Sequence, residues 1–145
     1  MAVLTDVLAL DVGLYHHTCG LRTGGAAYCW GVNSNGQLGA GTAGSMSTSS
    51  VAVSGGLVFQ AINAGESHTC SITLAGTAYC WGNNYYGQVG DGTSGNTRTS
   101  PVAVSGGLVF ESISAGESHT CGLIAGGAIY CWGYGSSSPV RVFWF

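Results

Sequence analysis

A strict internal repeat constrains this chain more than any other feature. The heptapeptide AGESHTC occurs at 64–70 and again at 115–121, and the tetrapeptide YCWG occurs at 28–31, 79–82 and 130–133. Successive copies are offset by 51 residues. A period of this length is typical of repeat architectures, in which each copy forms one supersecondary unit. The fold must therefore be assembled from three similar units.

The repeat predicts a single domain over 1–145, with copies at approximately 1–50, 51–101 and 102–145. No segment shows a sustained 3.6-residue apolar period, so helices are not expected. Four short strand candidates fit in each copy. In the third copy they are PVAV, VFESIS, HTCGLI and AIYCWG, at 101–104, 109–114, 119–124 and 128–133. Four antiparallel strands in about 50 residues match a propeller blade. The predicted fold class is therefore all-β, a β-propeller of about three blades whose ring is incomplete within one chain.

The last two strands of the second copy predict a hairpin with a defined register. A three-residue loop places Gly76 where the backbone needs a left-handed conformation. That register sets Cys70 opposite Cys80 and His68 opposite Gly82. Opposed residues on antiparallel strands have Cβ atoms roughly 4.5–5.5 Å apart, so a disulfide needs only a small adjustment. The repeat extends this prediction to three local disulfides, Cys19–Cys29, Cys70–Cys80 and Cys121–Cys131.

Other interpretations of these cysteines stay open. A zinc site needs four well-placed ligands, and Cys-x9-Cys with a nearby histidine matches no common zinc spacing. A Cys–His nucleophile would not be expected three times, and no repeated acid follows to orient the histidine. Reduced, buried thiols are the third alternative. We prefer the disulfide interpretation, which implies an oxidising, extracellular setting. No metal site and no cofactor are predicted.

The repeated histidines also receive a structural interpretation. His17, His68 and His119 each face a glycine in the predicted register and are expected to bond a backbone carbonyl of an adjacent blade. His16 belongs to a one-residue insertion in the first copy and is expected to be exposed.

Composition argues against several classes of function. Charged residues make up only 6% of the chain, and the net charge of -3 with three basic residues leaves no patch to neutralise nucleic-acid phosphates. No apolar run approaches the roughly 20 residues of a membrane-spanning helix. The first ten residues lack the basic region of a secretory signal, so a secreted form would have lost its signal or would be part of a longer chain. The acidic residues show no paired-carboxylate or triad spacing, so no enzymatic activity is predicted.

The repeat resembles a known family, the regulator of chromosome condensation repeat. AGESHTCSITLAGTAYCWGNNYYGQVGDGT at 64–93 has the family's pattern, and GVNSNGQLGAGT at 31–42 has the same Gly-Gln-Leu-Gly stretch. The cysteine-paired form is similar to bacterial, often secreted, members. The resemblance implies a β-propeller, commonly of seven blades, that acts as a binding scaffold. Roles within the family include nucleotide exchange on a small GTPase and inhibition of a β-lactamase, but no motif transfers either role to this chain.

The two ends of the chain differ from the internal copies. SPVRV at 138–142 matches SPVAV at 100–104, so 138–145 is interpreted as an extra strand that resembles the start of a next blade. An exposed strand edge invites pairing with another chain. Exchange of this strand between subunits would form a homo-oligomer, either a closed ring or a filament. The residues expected to mediate this assembly are Val140, Arg141, Val142, Phe143, Trp144 and Phe145.

These expectations support two alternative functions. The first is a non-enzymatic structural protein that self-assembles outside the cell or at its surface. The alternative is a protein-binding propeller module, part of a longer chain, that recognises a partner through its loop face. Aromatic and polar side chains of the kind that form binding surfaces lie on the variable loop of the second copy, at Asn83, Asn84, Tyr85, Tyr86 and Asp91.

Overall fold

The computed structural model describes residues 4–143, which form β-strands and turns. The strands are β1 (Val7–Val12), β2 (His17–Arg22), β3 (Ala27–Gly31), β4 (Ser47–Ala52), β5 (Phe59–Ala64), β6 (His68–Thr73), β7 (Ala78–Asn84), β8 (Asn96–Ala103), β9 (Phe110–Ala115), β10 (His119–Ile124), β11 (Ile129–Gly133) and β12 (Ser136–Val142). They build three four-stranded antiparallel sheets, β1–β4, β5–β8 and β9–β12, which are blades 1, 2 and 3. The predicted all-β fold of propeller blades in an open ring is confirmed.

The first strand of each blade lies nearest the centre of the ring. β5 contacts β1 on one side and β9 on the other, while β2 packs on β5 and β6 packs on β9. The remaining strands extend outward in chain order, so β4, β8 and β12 are the outer edges. This arrangement places equivalent loops of all three blades next to one another.

The central hairpin of each blade forms as the sequence predicts. Gly76 has a φ of 83°, and the pairing sets Cys70 opposite Cys80 and His68 opposite Gly82. All three predicted disulfides are present, Cys19–Cys29, Cys70–Cys80 and Cys121–Cys131, each with Cα atoms 4.1 Å apart. The turn glycine therefore fixes a register that the disulfide then locks.

Each blade has two different sides. The cysteine side bears the disulfide, and in blade 1 it presents Cys19, Leu21 and Ala27. The tryptophan side is the opposite one, and in blade 2 it presents Phe59, Ile62 and Trp81. These two sides meet in one buried cluster.

The junction between blades 2 and 3 repeats this packing. The cysteine side of blade 2 supplies Cys70, Ile72 and Ala78, and the tryptophan side of blade 3 supplies Phe110 and Trp132. Large side chains are needed on both sides of a sheet that lies between two other blades, because both of its sides are covered. The core thus consists of blade-to-blade junctions.

The structure corrects the position of one strand within the repeat. The segment PVAV at 101–104 was predicted to open the third copy, but Pro101–Ala103 belongs to β8, where Val102 pairs with Cys80. The sheets accordingly span 7–52, 59–103 and 110–142. A repeat period alone does not show where a unit starts, and pairing with β7 decides it.

The C-terminal strand is corrected for the same reason. The segment expected to be an extra strand is β12, which pairs with β11 so that Val140 lies opposite Cys131 and Val142 opposite Ile129. It completes blade 3, just as β1 opens a complete blade 1, so exchange of a surplus strand has no basis here. The exposed Phe143 ring lies under the Arg141 guanidinium, whose carbon is 5.1 Å from the ring centroid. Trp144 and Phe145 lie outside the described residues.

Residues 4–143 include no helix of the length and apolarity needed to cross a membrane.

Candidate protein-binding face

Antiparallel pairing gathers two kinds of loop at one edge of the blades, which we call the loop face. The first kind joins the first and second strands of each blade, and the second kind joins the third and fourth strands. The second kind is long in blades 1 and 2, at 32–46 and 85–95, and is only two residues, 134–135, in blade 3. The other turns lie at the opposite edge.

An open cleft of about 320 Å³ lies on the loop face. All three blades contribute to it. Its lining is polar and aromatic, and consists of Tyr15, Asn35, Glu66, Ser67, Asn83, Tyr86, Glu117 and Ser118. Among the described residues, no side-chain hydrogen bond or ion pair engages the carboxylates of Glu66 and Glu117. The cleft thus offers unoccupied acceptors beside aromatic rings.

Two adjacent tyrosines are exposed on the long loop of blade 2. Tyr85 is 66% exposed and Tyr86 48% exposed, and their rings contact edge to face with centroids 5.1 Å apart. Their backbone is held in place, because the Tyr85 N–H donates to Asn83 Oδ1 at 2.8 Å and the Tyr86 N–H donates to Gln88 Oε1 at 2.9 Å. The pair is therefore presented by an ordered loop.

Asn84 does not belong to this surface, although the sequence suggested it. Its side chain is fully buried. The carboxamide accepts the Val89 N–H at 3.1 Å and donates to the Thr93 carbonyl at 3.1 Å and to Asn96 Oδ1 at 3.0 Å. Asn84 therefore cannot contact a partner, and it shapes the loop from within.

Asp91 is also committed to the loop. The Arg98 guanidinium Nε donates to its carboxylate at 2.7 Å, and the Thr93 N–H donates at 3.0 Å. Desolvation alone would raise the pKa of Asp91, but these hydrogen bonds and the charge of Arg98 outweigh it and hold the pKa below its usual value. The side chain is 8% exposed, so this residue stabilises the loop.

Two of the repeated histidines, His17 and His68, lie behind the loop face at the junctions between blades, whereas His119 stacks on Tyr134 of its own blade. His17 Nε2 lies 3.0 Å from Thr69 Oγ1, and Thr69 Oγ1 donates to the Gln37 carbonyl at 2.9 Å. Since that hydroxyl proton is already donated, the histidine must donate its own Nε2–H to the threonine. The predicted carbonyl partner is thus wrong, and the threonine of the next His-Thr-Cys motif takes its place. His16 is exposed, as expected.

The surroundings of His17 and His68 favour the neutral form of each ring. Burial lowers the pKa of His17 to about 4, although the charge of Asp11 opposes the shift. Burial, together with the neighbouring His17 and His119, lowers the pKa of His68 to about 3. Nδ1 of each of these rings is buried without a hydrogen-bond partner among the described residues, so the charged form has no place to donate a second proton. These rings are structural links.

Sequence reasoning did not assign Tyr15, Asn35, Glu66 and Glu117 to the binding surface. Glu66 and Glu117 occupy equivalent positions of the repeat, two residues before the histidine. This equivalence could have indicated that the two glutamates lie close together, because equivalent loops of neighbouring blades meet around the centre of a propeller.

Comparison with known proteins places this geometry in a family. The Regulator of chromosome condensation (RCC1) repeat matches residues 7–37, 59–88 and 110–138, and a second model of the same repeat matches 24–72 and 75–123. The human "Probable E3 ubiquitin-protein ligase HERC4" is 33% identical over 91% of this chain, which spans only 13% of that protein.

Solved structures share the fold. Human WBSCR16 superposes with a TM-score of 0.88 at 21% identity over 98% of this chain and 39% of its own. Prp20p of Saccharomyces cerevisiae superposes with a TM-score of 0.86 at 21% identity over 97% of this chain and 39% of its own. With its blades, its motifs and these matches in agreement, the chain belongs to the Regulator of chromosome condensation (RCC1) repeat family.

Proposed function

We propose that this chain is a non-enzymatic protein-binding module that recognises a partner through its loop face. The observation that supports this most is the cleft, where loops from all three blades present exposed tyrosines and unpaired carboxylates. Aromatic side chains on a pre-ordered loop provide contact area at a low entropy cost. The yeast Prp20p, whose fold is similar, is described by its binding to Gsp1p and histones, so this architecture is compatible with protein partners.

The charge of the cleft indicates what the partner should offer. Glu66 and Glu117 contribute negative charge, and the whole chain has a net charge of -3. Complementary charge steers association and selects among partners. The partner segment is therefore a cationic or donor-rich stretch of protein that places aliphatic or aromatic surface against Tyr86.

We further propose an oxidising, extracellular location. The three disulfides are compatible with such a setting, and disulfides of this kind are rare where glutathione keeps thiols reduced.

The binding proposal is tested with loop-face variants. A random peptide library displayed on phage would be selected on the immobilised chain, and the affinity of the enriched peptides measured by calorimetry. We expect basic peptides, and at least a tenfold loss of affinity for Tyr85→Ala/Tyr86→Ala and for Glu66→Gln/Glu117→Gln.

A matched control lies at the opposite edge of the blades. Val58 and Val109 are 47% and 62% exposed there, and Val58→Ala/Val109→Ala should leave affinity unchanged. Peptides that bind the loop-face variants as tightly as the parent chain would overturn the proposal, as would peptides that lose affinity only with the valine variant.

A further inference from the structure

Two neighbouring loops of the loop face have the same pair of adjacent side chains, a glutamate and a serine. Glu66 and Ser67 lie in blade 2, and Glu117 and Ser118 lie in blade 3. All four residues line the cleft together with Tyr86. Blade 2 packs between blades 1 and 3, so the exposure of Glu66, Ser67 and Tyr86 is that of a blade with both of its neighbours. The repeated pair is therefore a feature of the cleft itself.

Backbone hydrogen bonds hold these loops side by side. The Glu66 N–H donates to the Gly116 carbonyl at 3.1 Å, directly before Glu117. The Gly135 N–H of blade 3 donates to the Tyr86 carbonyl at 3.0 Å, which ties the tyrosine of blade 2 to the same neighbour. The two glutamates and the tyrosine are thus positioned through their backbones, and their side chains stay available to a ligand.

The Ser67 hydroxyl is the buried polar group of this cleft. The residue is only 7% exposed, and its carbonyl accepts the Asn83 N–H at 2.9 Å. Its hydroxyl lines the cleft without a hydrogen-bond partner among the described residues. A buried hydroxyl without a partner costs free energy, so native structures generally supply one. The floor of the cleft therefore has an acceptor that suits a ligand with N–H donors.

The carboxylates of Glu66 and Glu117 have no cation from their own chain. The basic residues are three arginines, and lysine is absent. The three arginines interact elsewhere, with Asp6 for Arg22, Asp91 for Arg98 and Phe143 for Arg141. Like charges on adjacent loops repel each other, so the pair favours a cation that comes from outside the chain.

We propose that the cleft binds an arginine side chain of the partner, with the guanidinium between Glu66 and Glu117 and one of its faces against the Tyr86 ring. This inference rests on the proposed protein-binding function and names the side chain that is recognised. A guanidinium has five N–H donors in one plane, so it can donate to both carboxylates and to Ser67 Oγ at the same time. Its planar face also stacks on an aromatic ring.

Lysine fits the same cleft less well. Its ammonium group has three donors and holds its hydration shell more strongly than a guanidinium does. It cannot lie flat against the Tyr86 ring while it donates in the plane of two carboxylates. The cleft should therefore distinguish the two basic side chains by the shape of the charged group.

Nuclear magnetic resonance of the disulfide-bonded chain tests this proposal with three probes, the N-acetyl amides of arginine, lysine and citrulline. Citrulline keeps the shape of arginine but has no charge. We expect arginine to shift the amide signals of Glu66, Ser67 and Glu117 saturably, with a millimolar Kd. Lysine should bind roughly threefold and citrulline roughly tenfold more weakly. Equal affinities for the three probes, or shifts confined to other parts of the chain, would overturn the proposal.

Variants of the cleft provide the second measurement. Glu66→Gln and Glu117→Gln should each weaken the binding of the arginine probe roughly fivefold, and Ser67→Ala roughly threefold. Glu111→Gln removes the same charge at an exposed position at the other end of β9, and should leave the affinity unchanged. Dispersed amide spectra establish that each variant is folded. An equal loss in Glu111→Gln would overturn the proposal, because the probe would then respond only to net charge.

The peptide selection separates this inference from the wider function. Enriched peptides that bind the loop face and keep their affinity when lysine replaces each arginine would overturn the arginine assignment, while protein binding would stand. Arginine-specific shifts at Glu66 and Glu117 without any enriched peptide would support the arginine site and contradict the wider function.

Discussion

His68 Nε2 of blade 2 lies 2.8 Å from Thr120 Oγ1 of blade 3, and both side chains are fully buried. The threonine hydroxyl in turn donates to the Gln88 carbonyl at 2.9 Å. One hydroxyl thus joins a strand of blade 2, a strand of blade 3 and the long loop of blade 2. The same three-part link connects blades 1 and 2 through His17, Thr69 and Gln37.

Removing the hydroxyl should destabilise the fold. Thr120→Val keeps the side-chain shape but leaves the His68 Nε2–H and the Gln88 carbonyl without partners. A buried polar group left unsatisfied costs about 1–3 kcal/mol. Urea unfolding should show this loss. Thr97→Val, at an exposed position of β8, should change the free energy of unfolding by less than about 0.5 kcal/mol. Equal midpoints for the two variants would contradict the link.

Acid should weaken the fold through these same histidines. Their pKa values are lowered from 6.5 to about 4 for His17 and about 3 for His68. Below pH 6.5 the unfolded chain binds protons that the folded chain excludes, so unfolding becomes easier as pH falls. We expect full stability above pH 6.5 and a loss of about 1.4 kcal/mol per pH unit for each histidine below it, ending near the folded-state pKa.

Unfolding by urea at a series of pH values checks this dependence. His68→Gln should reduce the slope between pH 6 and 4 by roughly half, since one of two buried histidines is removed. His16→Gln, at the exposed insertion, should leave the slope as it is. An unchanged slope in His68→Gln would show that other groups govern the acid sensitivity.

Each disulfide should add a measurable share of stability. Cys70 and Cys80 are ten residues apart in sequence, and closing a loop of this size stabilises by about 2–3 kcal/mol in the chain-entropy model. Cys70→Ser/Cys80→Ser should lower the free energy of unfolding by at least that amount. Reductant should destabilise the parent chain further, because it opens all three loops. A parent chain whose unfolding is insensitive to reductant would argue against the oxidised form.

Stability and binding should separate within the loop at 85–95. Asp91→Asn removes the charge that pairs with Arg98 at 2.7 Å, and should lower stability by about 1–2 kcal/mol. Tyr86→Ala, at a half-exposed ring, should leave stability nearly unchanged but weaken binding of a selected peptide. The two measurements, urea unfolding and calorimetry, should therefore rank the variants in opposite orders. Identical rankings would mean that the loop acts only through its fold.

Local features of the blade could be predicted from the sequence because they depend on neighbouring residues. The glycine at 76 sets the turn, the turn sets the register, and the register brings Cys70 to Cys80. The starting point of the blade could not be predicted in this way. PVAV at 101–104 is followed by a Gly-Gly turn and VFESIS, which suggests a hairpin, yet that turn crosses from blade 2 to blade 3.

The site was predictable only in part, for a related reason. Alternation along β7 and its loop separates Asn83 at the surface from the buried Asn84, but two adjacent asparagines in a polar loop do not show which points inward. The partner of His68 lies 52 residues away and becomes visible only once the blades pack. Glu66 and Glu117 likewise meet in the cleft because of the ring, not because of nearby residues.

The histidine–threonine link also affects how such a chain can change over generations. Blade 2 contributes the threonine of one junction, Thr69, and the histidine of the other, His68. Because every copy has the same His-Thr-Cys motif, a unit of 51 residues carries both halves of the link. Duplicating or deleting one whole unit in the gene preserves the histidine–threonine pair at every junction. Duplicating or deleting a segment that is not a whole number of units would remove a histidine or a threonine from its partner. Propellers of this type can therefore gain or lose blades in single genetic steps while their interiors stay intact.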